Sequence, residues 1–174
     1  MCGPGCYNDM DMLVVGMRGA GANPETTAEG CSMTEYTTHF ALWAMLNSPL
    51  IIGCDLRSAD SAVKNLLTNR DLIAINQDPE GRTCYKLACS CSPGTFTLIK
   101  PLSGGDYAAG IFNFSDHDAF SGFPLFDMGL SSSQGQKVRV HDVLSGNDTE
   151  YAAESISAEV LSHGCHIFRL SSAV

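Results

Sequence analysis

Apolar residues recur at two periods along this chain, and the change between them falls near residue 80. Tyr36, Phe40, Trp43 and Ala44 repeat at helical spacing behind Ser32-x-x-Glu35, a capping-box signature, which predicts a helix of about three turns ended by Pro49. Leu50-Ile51-Ile52 is a continuous apolar run, the pattern of a parallel strand buried on both faces. Ala62-Val63-x-x-Leu66-Leu67 and Leu72-Ile73-x-Ile75 predict two short helices covering that strand. Asp78-Pro79-Glu80-Gly81 is a turn-rich boundary, and beyond it the helical period stops. Short β-prone runs replace it: Cys84 to Cys89, Thr95 to Pro101, Tyr107 to Phe114, Lys137 to Leu144 and Cys165 to Leu170. Separated by Gly, Ser, Asp and Asn, they predict an antiparallel sandwich.

At the start of the chain, periodicity alone predicts a strand from Met10 to Val15. Residues 16–33, with Gly16, Gly19, Gly21, Pro24 and Gly30, form a connection longer than most, either a wall or lid beside a site or an exposed insertion.

Composition narrows the function classes. Asp plus Glu outnumber Lys plus Arg by 19 to 10, and the net charge of −9 argues against nucleic acid or an anionic membrane as partner. A neutral sugar is compatible with it. Hydrophobic residues at 44% support a folded core. The longest apolar stretch, broken at Asn47-Ser48-Pro49, falls short of the ~20 residues of a membrane span. No signal peptide is visible at Met1-Cys2-Gly3-Pro4, and the compartment stays open. The eight cysteines include no C-x-x-C, and Cys89-Ser90-Cys91 suits neither a zinc knuckle nor a local disulfide, so most read as small buried hydrophobes. Five scattered histidines give no metal site. No cofactor is implied.

The chemistry concentrates in Asn8-Asp9-Met10-Asp11-Met12-Leu13. On an extended backbone Asp9 and Asp11 would share a face, and desolvating both should raise the pKa of one, as acid/base, sugar-hydroxyl or metal chemistry requires. The plain alternative is a solvated turn. Asp55 and Arg57 sit just past the Leu50-Ile51-Ile52 strand, and a structural pair is the simpler reading of them.

Read in order, Gly3-Pro4-Gly5, Asn8 to Leu13, Ala41-Leu42-Trp43-Ala44-Met45, Pro49 to Arg57 and Ala74-Ile75-Asn76-Gln77-Asp78-Pro79 closely resemble the α-galactosidases of glycoside hydrolase family 27. Tyr7 stands where that family usually has Trp, and Met10 where it has Pro; the carboxylates are intact. A looser resemblance continues through Gly110 to Ser115, Val140 to Leu144 and His163 to Leu170.

The resemblance implies an α/β plus all-β chain: the last two β/α units of a (β/α)8 barrel in residues 1–80, then an antiparallel β-sandwich in 81–174. A whole barrel needs roughly 250 residues, so only part can be present. Because barrel sites lie at the C-terminal ends of strands, the family reading moves the first strand to about Cys6 to Met10. It further implies retaining hydrolysis of terminal α-D-galactosides by two carboxylates. Both belong to segments upstream of the matched region, and neither the Lys-x-Asp nor the Arg-x-x-x-Asp word that carries them occurs here in a suitable place, so no catalytic residue is expected in this chain. By resemblance, Asp11 binds galactose hydroxyls, Met12 packs beside the sugar, and Asp9 and Asp55 support them. The complete enzyme could form a homo-oligomer. Alternative activities are α-N-acetylgalactosaminidase or β-arabinopyranosidase; a non-catalytic structural or carbohydrate-binding module is the other class, although the β-rich half lacks a Trp and Tyr platform. Two sequons, at Asn113 and Asn147, carry little weight.

Overall fold

The computed structural model describes residues 3–19, 30–88, 92–130, 137–151 and 154–173. The capping box forms reciprocally: Glu35 N–H donates to Ser32 Oγ at 3.2 Å and Ser32 N–H to Glu35 Oε2 at 2.7 Å. Helix α1 runs Met33–Met45 and buries Tyr36, Phe40, Ala41, Ala44 and Met45. Asn47, at φ 56°, turns the chain away even before Pro49. Asp60 and Asn69 cap α2 (Ser61–Leu67) and α3 (Arg70–Asn76), where the apolar spacing predicts helices.

Among the described residues eight strands follow: β1 Tyr85–Lys86, β2 Thr95–Pro101, β3 Tyr107–Asn113, β4 Ala119–Pro124, β5 Lys137–Asp142, β6 Asp148–Tyr151, β7 Ser155–Val160 and β8 Cys165–Ala173. Six form one antiparallel sheet in the order β1-β2-β3-β8-β5-β6, and β4 pairs with β7 separately. Strand residues alternate between two apolar layers. Leu98, Ala108, Phe112 and Ile167 face the helices and share a core with Tyr36, Phe40, Met45, Leu66 and Leu72. Ile99, Ala109, Ile111, Val138, Val140 and Leu170 face Phe123, Ile156 and Val160 of the β4-β7 pair. The expected sandwich is therefore present, with helices on the outer face of its larger sheet. Every β-prone run holds a strand, whereas β4, β6 and β7 were not expected.

Lys100, fully buried on β2, ties those layers together. Its ammonium donates to Ala44 O at 3.1 Å near the end of α1, to Asn47 Oδ1 and to Ile75 O near the end of α3, where a cation complements the helix dipoles. Asn76 Nδ2 donates to Trp43 O and Ser48 O at 3.1 and 2.9 Å. Asp78 Oδ2 accepts Ser103 N–H and Oγ–H at 2.9 and 2.8 Å. Burial pushes the Asp78 carboxyl up, but hydrogen bonds from Ser103 and Glu80 and the charge of Lys100 leave it below its ordinary value. Asn76 and Asp78 thus fasten the end of α3 to the segments around it.

The N-terminal segment departs from expectation. No strand forms at 6–10; instead Gly3 and Cys6 close a tight turn through Gly5 at φ 82°. The parallel pairing is a single bridge, Leu13 to Ile52, with Leu13 N–H donating to Ile51 O at 2.7 Å and Gly53 N–H to Leu13 O at 3.0 Å. It lies inside the Met10 to Val15 run that periodicity predicts, with Leu13 and Val15 buried and Met12 and Val14 exposed. Ile51 and Ile52 are 51% and 40% exposed rather than buried on both faces, because no further strand lies against them among the described residues. Cysteines also differ from expectation, since Cys6 and Cys31 are exposed; burial does push the Cys165 thiol up to about 12. Cys89-Ser90-Cys91 lies outside the described residues.

Candidate functional site

Residues 9–14 form a turn fixed from several sides. Asp11 N–H donates to Asp9 Oδ1 at 2.9 Å, an Asx-type bond that commits Asp9 to the loop. Asp11 takes φ 74°, a left-handed conformation that Asp tolerates better than most residues, and its Oδ1 accepts Met12 N–H at 2.7 Å. The indole N–H of Trp43 donates to Asp11 O at 3.0 Å, Val14 N–H donates to His39 Nε2 at 3.1 Å, and Met10 N–H donates to Ser48 Oγ at 3.0 Å.

Two expectations for this pair are corrected. Asp9 and Asp11 do not share an extended face, because the left-handed residue breaks the strand alternation. Nor are they buried together: both are exposed, so the desolvation invoked for acid/base chemistry is absent.

Met12, 45% exposed, lies where the two loops converge. A Cβ at Gly53 would sit 3.0 Å from Leu13 O and 3.4 Å from Met12 Cβ, so this close approach favours glycine. Asp55 follows on that second loop but is occupied by Arg57: Arg57 Nε donates to Oδ1 at 2.9 Å, Nη2 to Oδ2 at 2.8 Å, and Arg57 N–H to Oδ1 at 3.0 Å. That guanidinium, then the N–H, holds the Asp55 carboxyl below its ordinary value. Asp55 and Arg57 thus form an ion pair within that loop.

The start of the 16–33 connection is pinned, with Arg18 N–H donating to Tyr36 Oη at 2.7 Å and the Arg18 guanidinium paired with Asp60. Residues 20–29, on which the lid or wall reading falls, lie outside the described residues. A cleft of about 410 Å³ opens between Tyr7, Asn47, Ser48, Pro49, Asn76 and Asp78. A second cavity of about 340 Å³ is lined by Glu35, Thr38, His39, Leu42, Phe114 and His163. Among the described residues, no three His, Cys, Asp or Glu side chains gather to hold a metal ion.

Sequence reasoning missed His39, Ser48 and Lys100. His39 and Trp43 carry a legible signal, since residues four apart on a helix are neighbours, and their rings lie 3.8 Å apart. Lys100 carries none, because its partners, two backbone carbonyls and the Asn47 side-chain oxygen, come from segments distant in sequence.

Comparison with known proteins gives this geometry a context. A family model described as α-galactosidase A matches residues 1–78, and one described as the α-galactosidase C-terminal β-sandwich domain matches 95–170. The chain is 34% identical to an α-galactosidase of Cyamopsis tetragonoloba over 169 residues, covering 97% of the chain and 38% of that relative. With α-galactosidase 3 of Arabidopsis thaliana the identity is 32%, covering 97% and 36%. Among solved structures, a candidate α-galactosidase/melibiase from Bacteroides fragilis superposes with TM-score 0.83 at 33% identity, over 98% of this chain and 35% of that one. α-Galactosidase I of Mortierella vinacea gives 0.78 at 23% identity, over 94% of this chain and 39% of that one, a likeness of fold alone. The chain thus spans well under half the length of these relatives. Because both of its halves match, in order, the parts of one kind of enzyme, the chain belongs to the melibiase-type α-galactosidases of glycoside hydrolase family 27, as a C-terminal portion.

Proposed function

We propose that this chain is the C-terminal part of a retaining α-galactosidase acting on terminal α-D-galactosides, and that it supplies one wall of the sugar pocket. Residues 1–80 provide the last two β/α units of the barrel, and 81–174 provide the sandwich that backs them. The parallel Leu13-Ile52 bridge and the exposed Ile51 and Ile52 beside it support this reading, as an open edge that further parallel strands would cover.

The observation that carries the proposal is Asp11. An exposed carboxylate on a left-handed residue, fixed by Asp9, Trp43 and its own bond to Met12 N–H, is backbone strain maintained by its surroundings, and such strain concentrates at ligand sites. Asp11 accepts hydrogen bonds from galactose hydroxyls, the exposed Met12 flanks the apolar side of the ring, and Asp9 and Asp55 hold the two loops. The nucleophile and the acid/base, set about 5–5.5 Å apart in retaining enzymes, come from the upstream part of the barrel.

The test is to complete the barrel by joining residues 1–174 to the N-terminal portion of a relative, and to measure hydrolysis of a panel of nitrophenyl glycosides. Turnover of the α-galactoside above the α-N-acetylgalactosaminide and the β-arabinopyranoside is expected. A preference for either of the others would replace the substrate assignment.

A further inference from the structure

We propose that His39 and Trp43 are positioning residues for the sugar-facing segment, and that neutral His39 latches residues 11–14 while protonated His39 releases them. This rests on the assignment of Asp11 and Met12 to sugar contact.

The argument begins with donors and acceptors. Val14 N–H can only donate, so His39 Nε2, 3.1 Å away, must offer its lone pair, and the ring proton sits on Nδ1. An imidazolium carries protons on both nitrogens and cannot accept this bond. Trp43, four residues on, donates its indole N–H to Asp11 O at 3.0 Å. One face of α1 therefore grips the segment at two points on either side of Met12, and the two gripping rings touch, with centroids 3.8 Å apart and planes tilted by 45°. Left-handed Asp11 lies at one of these grips.

The surroundings favour the neutral ring at rest and still give the proton a route. Burial pulls the His39 imidazole below its ordinary value. Glu35 and His163 line the 340 Å³ cavity on which His39 also opens. Glu35 is held by Ser32 N–H at 2.7 Å, and His163 Nε2 lies 3.1 Å from Asp116 Oδ1. On and just before the gripped segment the charged groups are Asp11 and Asp9. As pH falls through the lowered His39 value, the Val14 bond is lost and, of the two grips from α1, only that of Trp43 remains beside the backbone bonds of Leu13 to Ile51 and Gly53. The pocket wall is thus ordered at neutral pH and loosened in acid.

Trp43 is the only tryptophan in the chain, so tryptophan emission reports this site alone. In ¹⁵N spectra at pH 7.5, His39 should show unprotonated Nε2. On acidification the His39 ring, the Val14 amide and Trp43 emission should move together, with a midpoint below the ordinary ~6.5. His39→Gln, whose side-chain oxygen can accept from Val14 without titrating, should keep the neutral-pH emission and abolish the transition. Protonated Nε2 at pH 7.5, a Val14 amide indifferent to the His39 titration, or an emission transition that survives His39→Gln would each overturn the latch. The wild-type spectra decide the matter even if His39→Gln folds poorly. If the latch titrates as stated but Asp11→Asn leaves galactoside turnover of the completed barrel unchanged, the latch stands and the sugar assignment falls.

Discussion

Asp11 presents its carboxylate from a backbone at φ 74°, a conformation that Asp and Asn tolerate and β-branched residues resist. Asp11→Asn should therefore leave the stability of the chain within about 0.5 kcal/mol in urea unfolding. Asp11→Val should lose a further ~1–2 kcal/mol. Equal stabilities would mean that the turn carries no strain. The sequence exposes the D-x-D word but not this conformation. Asp9 and Met12 fix it locally, but the Trp43 indole that also holds it lies 32 residues on, beyond the reach of periodicity along the chain.

Helix α3 and the sheet meet at His141, whose Nδ1 lies 2.9 Å from Asp148 Oδ1 on β6 and whose Nε2 lies 3.4 Å from Asp71 Oδ2 on α3. Burial pulls the imidazole down, but the bonds and charges of Asp148 and Asp71 outweigh it and raise it above its ordinary value. A raised folded value means that the stabilisation is complete below ~6.5 and is lost as pH climbs through the folded value. Thermal melts should show wild type exceeding His141→Gln by more at pH 5.5 than at pH 8.5; an equal margin at both would remove the clamp. Lys100 fastens the same layers. Lys100→Met leaves buried carbonyls at Ala44 and Ile75 without their cation, at about 1–3 kcal/mol each, and should lower the urea midpoint accordingly. An unchanged midpoint would mean that these carbonyls find other donors. Helices α1 to α3 are legible because capping residues and apolar spacing agree. Strands β4 and β7 are not: β4 carries Gly122 and Pro124, and β7 alternates Ile156, Ala158 and Val160 with Ser155, Ser157 and Glu159. Their apolar faces gain meaning only against Ile99, Ile111 and Leu170 of the larger sheet.

For the whole molecule, one apolar layer runs through the helices into the sheet, and the N-terminal segment leaves Met12, Val14, Ile51, Ile52 and Leu56 exposed beside an open parallel edge. Such an edge invites pairing with another copy. Sedimentation of the isolated chain should show concentration-dependent association that Ile51→Lys reduces; a monomer at every concentration would mean that the edge needs no cover. Under the proposed function, the bond-breaking carboxylates lie upstream of these residues and Asp11 serves binding. A charge-assisted bond to a sugar hydroxyl is worth about 1.5–3 kcal/mol, which is roughly one to two orders of magnitude in kcat/KM. The decisive measurement is hydrolysis of nitrophenyl α-galactoside by the isolated chain, by the completed barrel, and by the completed barrel carrying Asp11→Asn. The account predicts no turnover above buffer for the first, turnover for the second, and that one-to-two-order loss for the third. Turnover by the isolated chain that Asp11→Ala abolishes would contradict it, and would make Asp11 part of the bond-breaking machinery.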